Sequence, residues 1–221
     1  MNLLGIIVSF IFVFLIIGTS TILTNKKIIN GEGSRKFIHI GVSNWWIIAM
    51  IFFKNPIWAS IVPAIFIIIN YLSYKKQIFK AMERGKNKND LGTVYYAISL
   101  LIISILSFSG IIDKYSGAIG IFIMGYGDGF AAIIGKKYSK KYFKILNTEK
   151  SIEGSLTMFI ISFIITIIFS SISAQNNIII TSLLIATIST IIEILSPFGI
   201  DNLTVPIITS ITYEILTNII K

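Results

Sequence analysis

The chain has 221 residues, 54% of them hydrophobic and only 13% charged, with a net charge of +9 and a mean hydropathy of +0.84. A soluble domain carries about 25% charged residues, so the composition excludes an ordinary soluble fold and points to a membrane protein. The absence of cysteine excludes disulfides and thiolate metal sites, and the single histidine, His39, excludes multi-histidine centres, so any metal must rest on carboxylates and phosphates.

Apolar segments recur at about 2–23, 38–53, 56–74, 91–112, 115–135, 155–173, 177–195 and 203–220. Several reach the roughly 20 residues that cross a hydrocarbon core. Segment 38–53 is short, and 203–220 contains Pro206 and Glu214. The expectation is an all-α, polytopic membrane helix bundle of about seven or eight spans in a single domain, 1–221. The first segment lacks a basic n-region and its apolar run is too long for a cleaved signal peptide.

With eight spans, the loops at about 24–37, 75–90, 136–154 and 196–202 share one side of the membrane. Of the 19 Lys and Arg residues, only Lys54, Lys114 and Lys221 fall outside them. The positive-inside rule makes that side cytoplasmic and puts the N-terminus outside. The positive charge is thus first a topology signal and an anchor to anionic headgroups, and no nucleic-acid partner is expected. Glu32, Glu83, Asp90, Asp128, Glu149, Glu153, Glu193 and Asp201 gather at the same face, whereas Asp113 and Glu214 do not.

The motifs follow in chain order. In "GEGSRKFIHIG", residues 31–41, Arg35 and His39 are four apart and share a helix face behind Lys36. Arginine clamps phosphate with two prongs, and histidine donates to phosphate or shuttles a proton; a basic interfacial anchor accounts equally well for Arg35 and Lys36, but not for the histidine. "NKNDLGTVYYA", residues 87–97, brings Asp90, Gly92, Thr93 and Tyr96 to the start of the fourth span. In "GYGDGF", residues 125–130, Asp128 lies within an apolar run, where a carboxylate costs several kcal/mol unless it is paired, metal-bound or facing water. The flanking Gly125, Gly127 and Gly129 weaken the helix and expose backbone N–H groups, which suits a phosphate and its cation. The competing explanation is close helix packing through small residues, with Asp128 paired to a lysine. "EKSIEGS", residues 149–155, offers Lys150 and Ser151 for phosphate and Glu153 for a metal shared with Asp128. It also reads as an ordinary helix N-terminus. "EILSPFGIDNLTVPI", residues 193–207, adds Glu193, Asp201 and Asn202.

These stretches in this order resemble the polyprenol kinase family of dolichol and phytol kinases, related to CTP-dependent diacylglycerol kinase. The matching pieces are "SRKFIHIG" (34–41), "NDLGTVYY" (89–96), "GYGDGFAAIIGKKY" (125–138), "EKSIEGSLTMF" (149–159) and "EILSPFGIDNLTVPI" (193–207). The resemblance implies transfer of the γ-phosphate of CTP to a long isoprenoid alcohol, with Mg²⁺ or another divalent cation, at the cytoplasmic face. Asp128 and His39 would then be catalytic. Arg35, Lys36, Lys150, Ser151, Asp201, Asn202 and the glycines at 125, 127 and 129 would hold the nucleotide, and Asp128, Glu153 and Glu193 the metal. The chain is closer in size to phytol kinases than to dolichol kinases. The implied partners are the lipid alcohol, the nucleotide and the bilayer, and a homodimer in the bilayer is compatible with the sequence. Two rivals remain: a CDP-lipid synthase, which would release pyrophosphate instead of CDP, and an ion-coupled transporter, whose site should lie near the midplane.

Overall fold

The computed structural model describes residues 1–76, 78, 91–146 and 148–219. It is a bundle of helical rods, and each of the eight apolar segments falls on one. They are α1 (Asn2–Asn25), α2 and α3 (Gly31–Ser43 and Trp45–Phe52), α4 (Pro56–Lys76), α5 (Gly92–Phe108), and a stacked rod of α6 (Lys114–Phe122), a π-helical turn (Ile123–Asp128) and α7 (Gly129–Tyr138). Then come α8 (Ile152–Ile172), α9 (Ile178–Leu195) and α10 (Asp201–Ile219). Among the described residues, five rods are long and apolar enough to cross a membrane: α1, α4, the stacked rod Lys114–Tyr138, α8 and α9. The chain is an integral membrane helix bundle. The expected loop 75–90, with Glu83 and Asp90, lies almost wholly outside the described residues.

The sequence pattern sorts outside from inside by side-chain size. On α8, Ile160, Ile164, Ile168 and Ile172 form an exposed stripe, while Met158, Ser162, Thr166 and Ser170 are buried. On α9, Ser182, Ala186 and Ser189 face inward and Ile179, Leu183 and Ile191 outward. Small residues inside and branched ones toward lipid allow close backbone approach where the hydrophobic effect gives no drive between helices. α8 accordingly packs along α9, and α4 along α5.

The stacked rod is the centre of the bundle, the most enclosed of the five spans. Its glycines face neighbours. A Cβ on Gly120 would meet the Pro206 carbonyl and Ser210 of α10, one on Gly125 would meet Ser43 of α2, one on Gly127 would meet Met158 Sδ at 2.7 Å, and one on Gly129 would meet Ile40 Cγ1 at 2.5 Å. Helix packing thus uses the space at 125, 127 and 129 that the resemblance assigned to nucleotide approach.

Among the described residues, one element departs from an all-helical chain. Within the loop 136–154, β1 (Tyr142–Ile145) and β2 (Thr148–Ser151) form an antiparallel hairpin pairing Tyr142 with Ser151 and Phe143 with Lys150. Alternation along β2 turns Lys150 and Ser151 to opposite sides, which delivers one to the site and the other to the start of α8.

Candidate active site

Asp128 closes the π turn and is 6% exposed. Such turns appear mostly as local insertions in α-helices, often at functional sites. The Lys36 ammonium donates to the Asp128 carboxylate, and His39 Nε2 lies 3.4 Å from the same oxygen. His39 Nε2 is also 3.2 Å from the Met124 carbonyl. A carbonyl can only accept, so that nitrogen carries the proton. Tyr96 packs on the imidazole, with ring centroids 4.4 Å apart. Lys36 and His39 therefore come to one carboxylate from adjacent positions on the inner face of α2.

Two further carboxylates arrive from the other side. Glu193 lies in the last turn of α9, and the connection after that helix has left-handed backbone at Phe198 (φ 52°) and Gly199 (φ 81°). Glycine takes that conformation without steric cost. The turn brings Asp201 back so that one oxygen each from Asp128, Glu193 and Asp201 lies within 4.8 Å of the others. Asp201 Oδ1 accepts from the Asn202 backbone N–H and side-chain Nδ2, both at 2.9 Å, and Asn202 Nδ2 also donates to the Gly199 carbonyl at 3.0 Å. The Lys150 ammonium donates to Glu193. Burial disfavours that ammonium, but Glu193 and then Asp201 outweigh burial and hold its pKa above the ordinary lysine value.

Three mutually close, largely buried carboxylates with two lysines on them form an oxygen-only donor set, which fits a hard divalent cation. The expected metal set included Glu153, and the structure places that residue apart from the cluster. Its carboxylate accepts from the Lys140 backbone N–H at 3.3 Å, while Asp201 joins Asp128 and Glu193. Ser151 caps α8, its Oγ accepting from Gly154 N–H at 3.1 Å, and it is wedged against Gly135 and Gly154. Arg35 donates to Glu32 at 2.6 Å and borders the neighbouring cleft.

That cleft is the feature the sequence reading missed. An open-sided space runs between α1, α2, α3, α4, α5 and the start of α10, with Arg35, His39, Asn70, Thr93, Tyr96 and Asn202 at one end and aliphatic and aromatic side chains beyond. On α4 the lining positions Val62, Phe66 and Asn70 recur every fourth residue, so one helix face passes from apolar to polar toward the carboxylates. The amide of Asn70 within an apolar run was the available signal; its Nδ2 donates to the Thr93 carbonyl at 3.0 Å.

Curated proteins of similar sequence show the family. A phytol kinase of Synechocystis sp. is 31% identical over 197 residues, covering 86% of this chain and 81% of the relative. The chain belongs to the phytol kinase family. A probable chloroplastic phytol kinase of Triticum aestivum is 26% identical, covering 88% of this chain and 70% of the relative. Phytol kinase 1 of Arabidopsis thaliana is 29% identical, covering 66% of this chain and 50% of its own longer sequence. No family model and no solved structure matches. In this family member, the alignment with the Synechocystis phytol kinase is long enough to embrace most of the bundle that builds the site.

Proposed function

We propose that this protein is a membrane lipid kinase that transfers the γ-phosphate of CTP to an isoprenoid alcohol. The observation that carries this reading is the cleft, an apolar slot whose polar end adjoins a carboxylate cluster with its own lysines. An alcohol with a long hydrocarbon chain matches that gradient, with its hydroxyl at the polar end.

Phosphoryl transfer asks the protein mainly to align donor and acceptor and to neutralise charge. Asp128, Glu193 and Asp201 would hold a Mg²⁺ ion, which when bound would offset phosphate charge. Lys36 and Lys150, now paired with carboxylates, would turn to the phosphate oxygens, with Arg35 beside them. His39 holds its proton at Nε2 beside Asp128 and orients that carboxylate toward the incoming hydroxyl. The hydrocarbon walls keep water from competing as acceptor.

The loop lysines support a cytoplasmic site and an outward N-terminus. Because the native chain lacks cysteine, Lys144→Cys and Lys54→Cys provide single labelling sites. In intact cells, an impermeant maleimide should label position 54 and spare 144, and the reverse pattern would invert the topology. The activity test uses purified protein in lipid micelles with Mg²⁺, γ-labelled CTP or ATP, and phytol, geranylgeraniol, a polyprenol or diacylglycerol. Label appearing in an isoprenyl monophosphate with CTP supports the proposal. Pyrophosphate release would instead identify a CDP-lipid synthase, and transfer from ATP alone would correct the donor.

A further inference from the structure

We infer that the deep end of the cleft, closed by Trp45, gauges the length of the lipid chain admitted. The inference rests on the lipid-kinase reading and concerns the part of the cleft farthest from the phosphate chemistry.

Four helices contribute to that end: Val13 from α1, Trp45 from α3, Val62 from α4 and Leu100 from α5. They are 4%, 1%, 2% and 6% exposed, so this end does not open to the surface. Trp45 is the largest of the four. Among the described residues its indole N–H has no hydrogen-bond partner, whereas the neighbouring Trp46 donates to the Lys114 carbonyl at 3.1 Å. What Trp45 supplies at the end of the slot is therefore bulk. It is the first residue of α3, immediately after the break at Asn44 that separates α2 from α3. That break lets α2 carry Lys36 and His39 to the carboxylate while α3 starts across the slot.

The depth follows from helix rise. Asn70 at the polar end and Val62 at the closed end are two turns apart on α4, about 12 Å at about 1.5 Å per residue. The hydrocarbon core is about 30 Å thick, so the slot spans slightly less than one leaflet. A chain that reaches the floor must stop, fold or leave sideways, and each methylene that cannot be seated loses its burial. Enlarging the floor should favour longer alcohols, and raising it should favour shorter ones. A residue that merely stabilised the bundle would change all alcohols alike.

The experiment compares geraniol, farnesol and geranylgeraniol, in order of increasing length, for wild type, Trp45→Ala and Leu100→Phe in nanodiscs. Both equilibrium binding of the alcohol and CTP-dependent transfer are read. Trp45→Ala should shift the long-to-short affinity ratio upward by about tenfold, and Leu100→Phe downward by a similar factor, the scale of one methylene in a fitted pocket. The opposite signs keep the test valid if one variant folds poorly. Ratios unchanged in both variants, or shifts in the same direction, overturn the gauge. Binding ratios that shift as expected in a protein that transfers no phosphate support the gauge and refute the kinase reading.

Discussion

Replacing Lys36 by methionine should tighten divalent-cation binding in the absence of nucleotide and weaken nucleotide binding in its presence. Lys36 and Asp128 have side chains 3% and 8% exposed. Breaking such a buried pair by removing one partner typically costs about 3–5 kcal/mol, because the remaining charge is uncompensated. A cation arriving at Asp128 would recover part of that cost. In the native protein it must first displace the ammonium, since unit charges about 4 Å apart repel by about 4 kcal/mol at an effective dielectric of about 20, and twice that for a divalent ion. Methionine keeps most of the apolar stem while removing the charge. We expect the Mn²⁺ dissociation constant of Lys36→Met to fall at least tenfold, about 1.4 kcal/mol, and that for CTP at saturating Mn²⁺ to rise about tenfold. Calorimetric titration in nanodiscs measures both. Cation affinity that is unchanged or weaker would refute the idea that Lys36 holds the place of a metal on Asp128.

Glu193→Gln should reduce transfer by more than the roughly 10–100-fold typical of groups outside the direct ligand set. Glu153→Gln should stay within a factor of a few, and steady-state assays that reverse this order would restore Glu153 to the metal. Ser151→Ala removes the cap of α8 and should cost about 1 kcal/mol of stability; a lowered unfolding midpoint with unchanged KM for CTP fits a cap, and a large rise in KM would make Ser151 a phosphate ligand. Gly120→Ala places a methyl against the Pro206 carbonyl. Backbone must move to admit it, so a loss of about 1–3 kcal/mol is expected in thermal or denaturant unfolding, and an unaltered midpoint would show that α6 and α10 are not locked there.

The rods were legible because each carries a long apolar run; the expectation of which end holds the chemistry rests on acidic residues that fall in alternate connections. The carboxylate grouping was not. Sequence proximity paired Asp128 with Glu153 across one loop, but Glu153 lies in the first turn of α8 and reaches back to Lys140. Asp201 depends on a left-handed turn at Phe198 and Gly199, which proximity does not reveal. The hairpin was hidden because its lysines interrupt the apolar alternation that marks a strand. The glycines around Asp128 could serve nucleotide or helix packing, and only their neighbours decide. The slot draws on six helices, so no single stretch announces it.

The π turn at Ile123–Asp128 has a consequence for how this sequence can change. An α-helix turns by about 100° per residue, so its two ends normally share one phase, and a residue gained or lost rotates everything beyond it. The wider turn absorbs one residue of that phase between Gly120, fitted against α10, and Asp128, fitted against α2. Deleting Tyr126 would let the segment relax to ordinary α-helix with its two flanks still in register. Substitutions that favour tighter winding would instead swing the carboxylate around the rod while leaving its depth in the bilayer nearly the same. The angular position of the acid is thus set separately from the packing of the span that carries it.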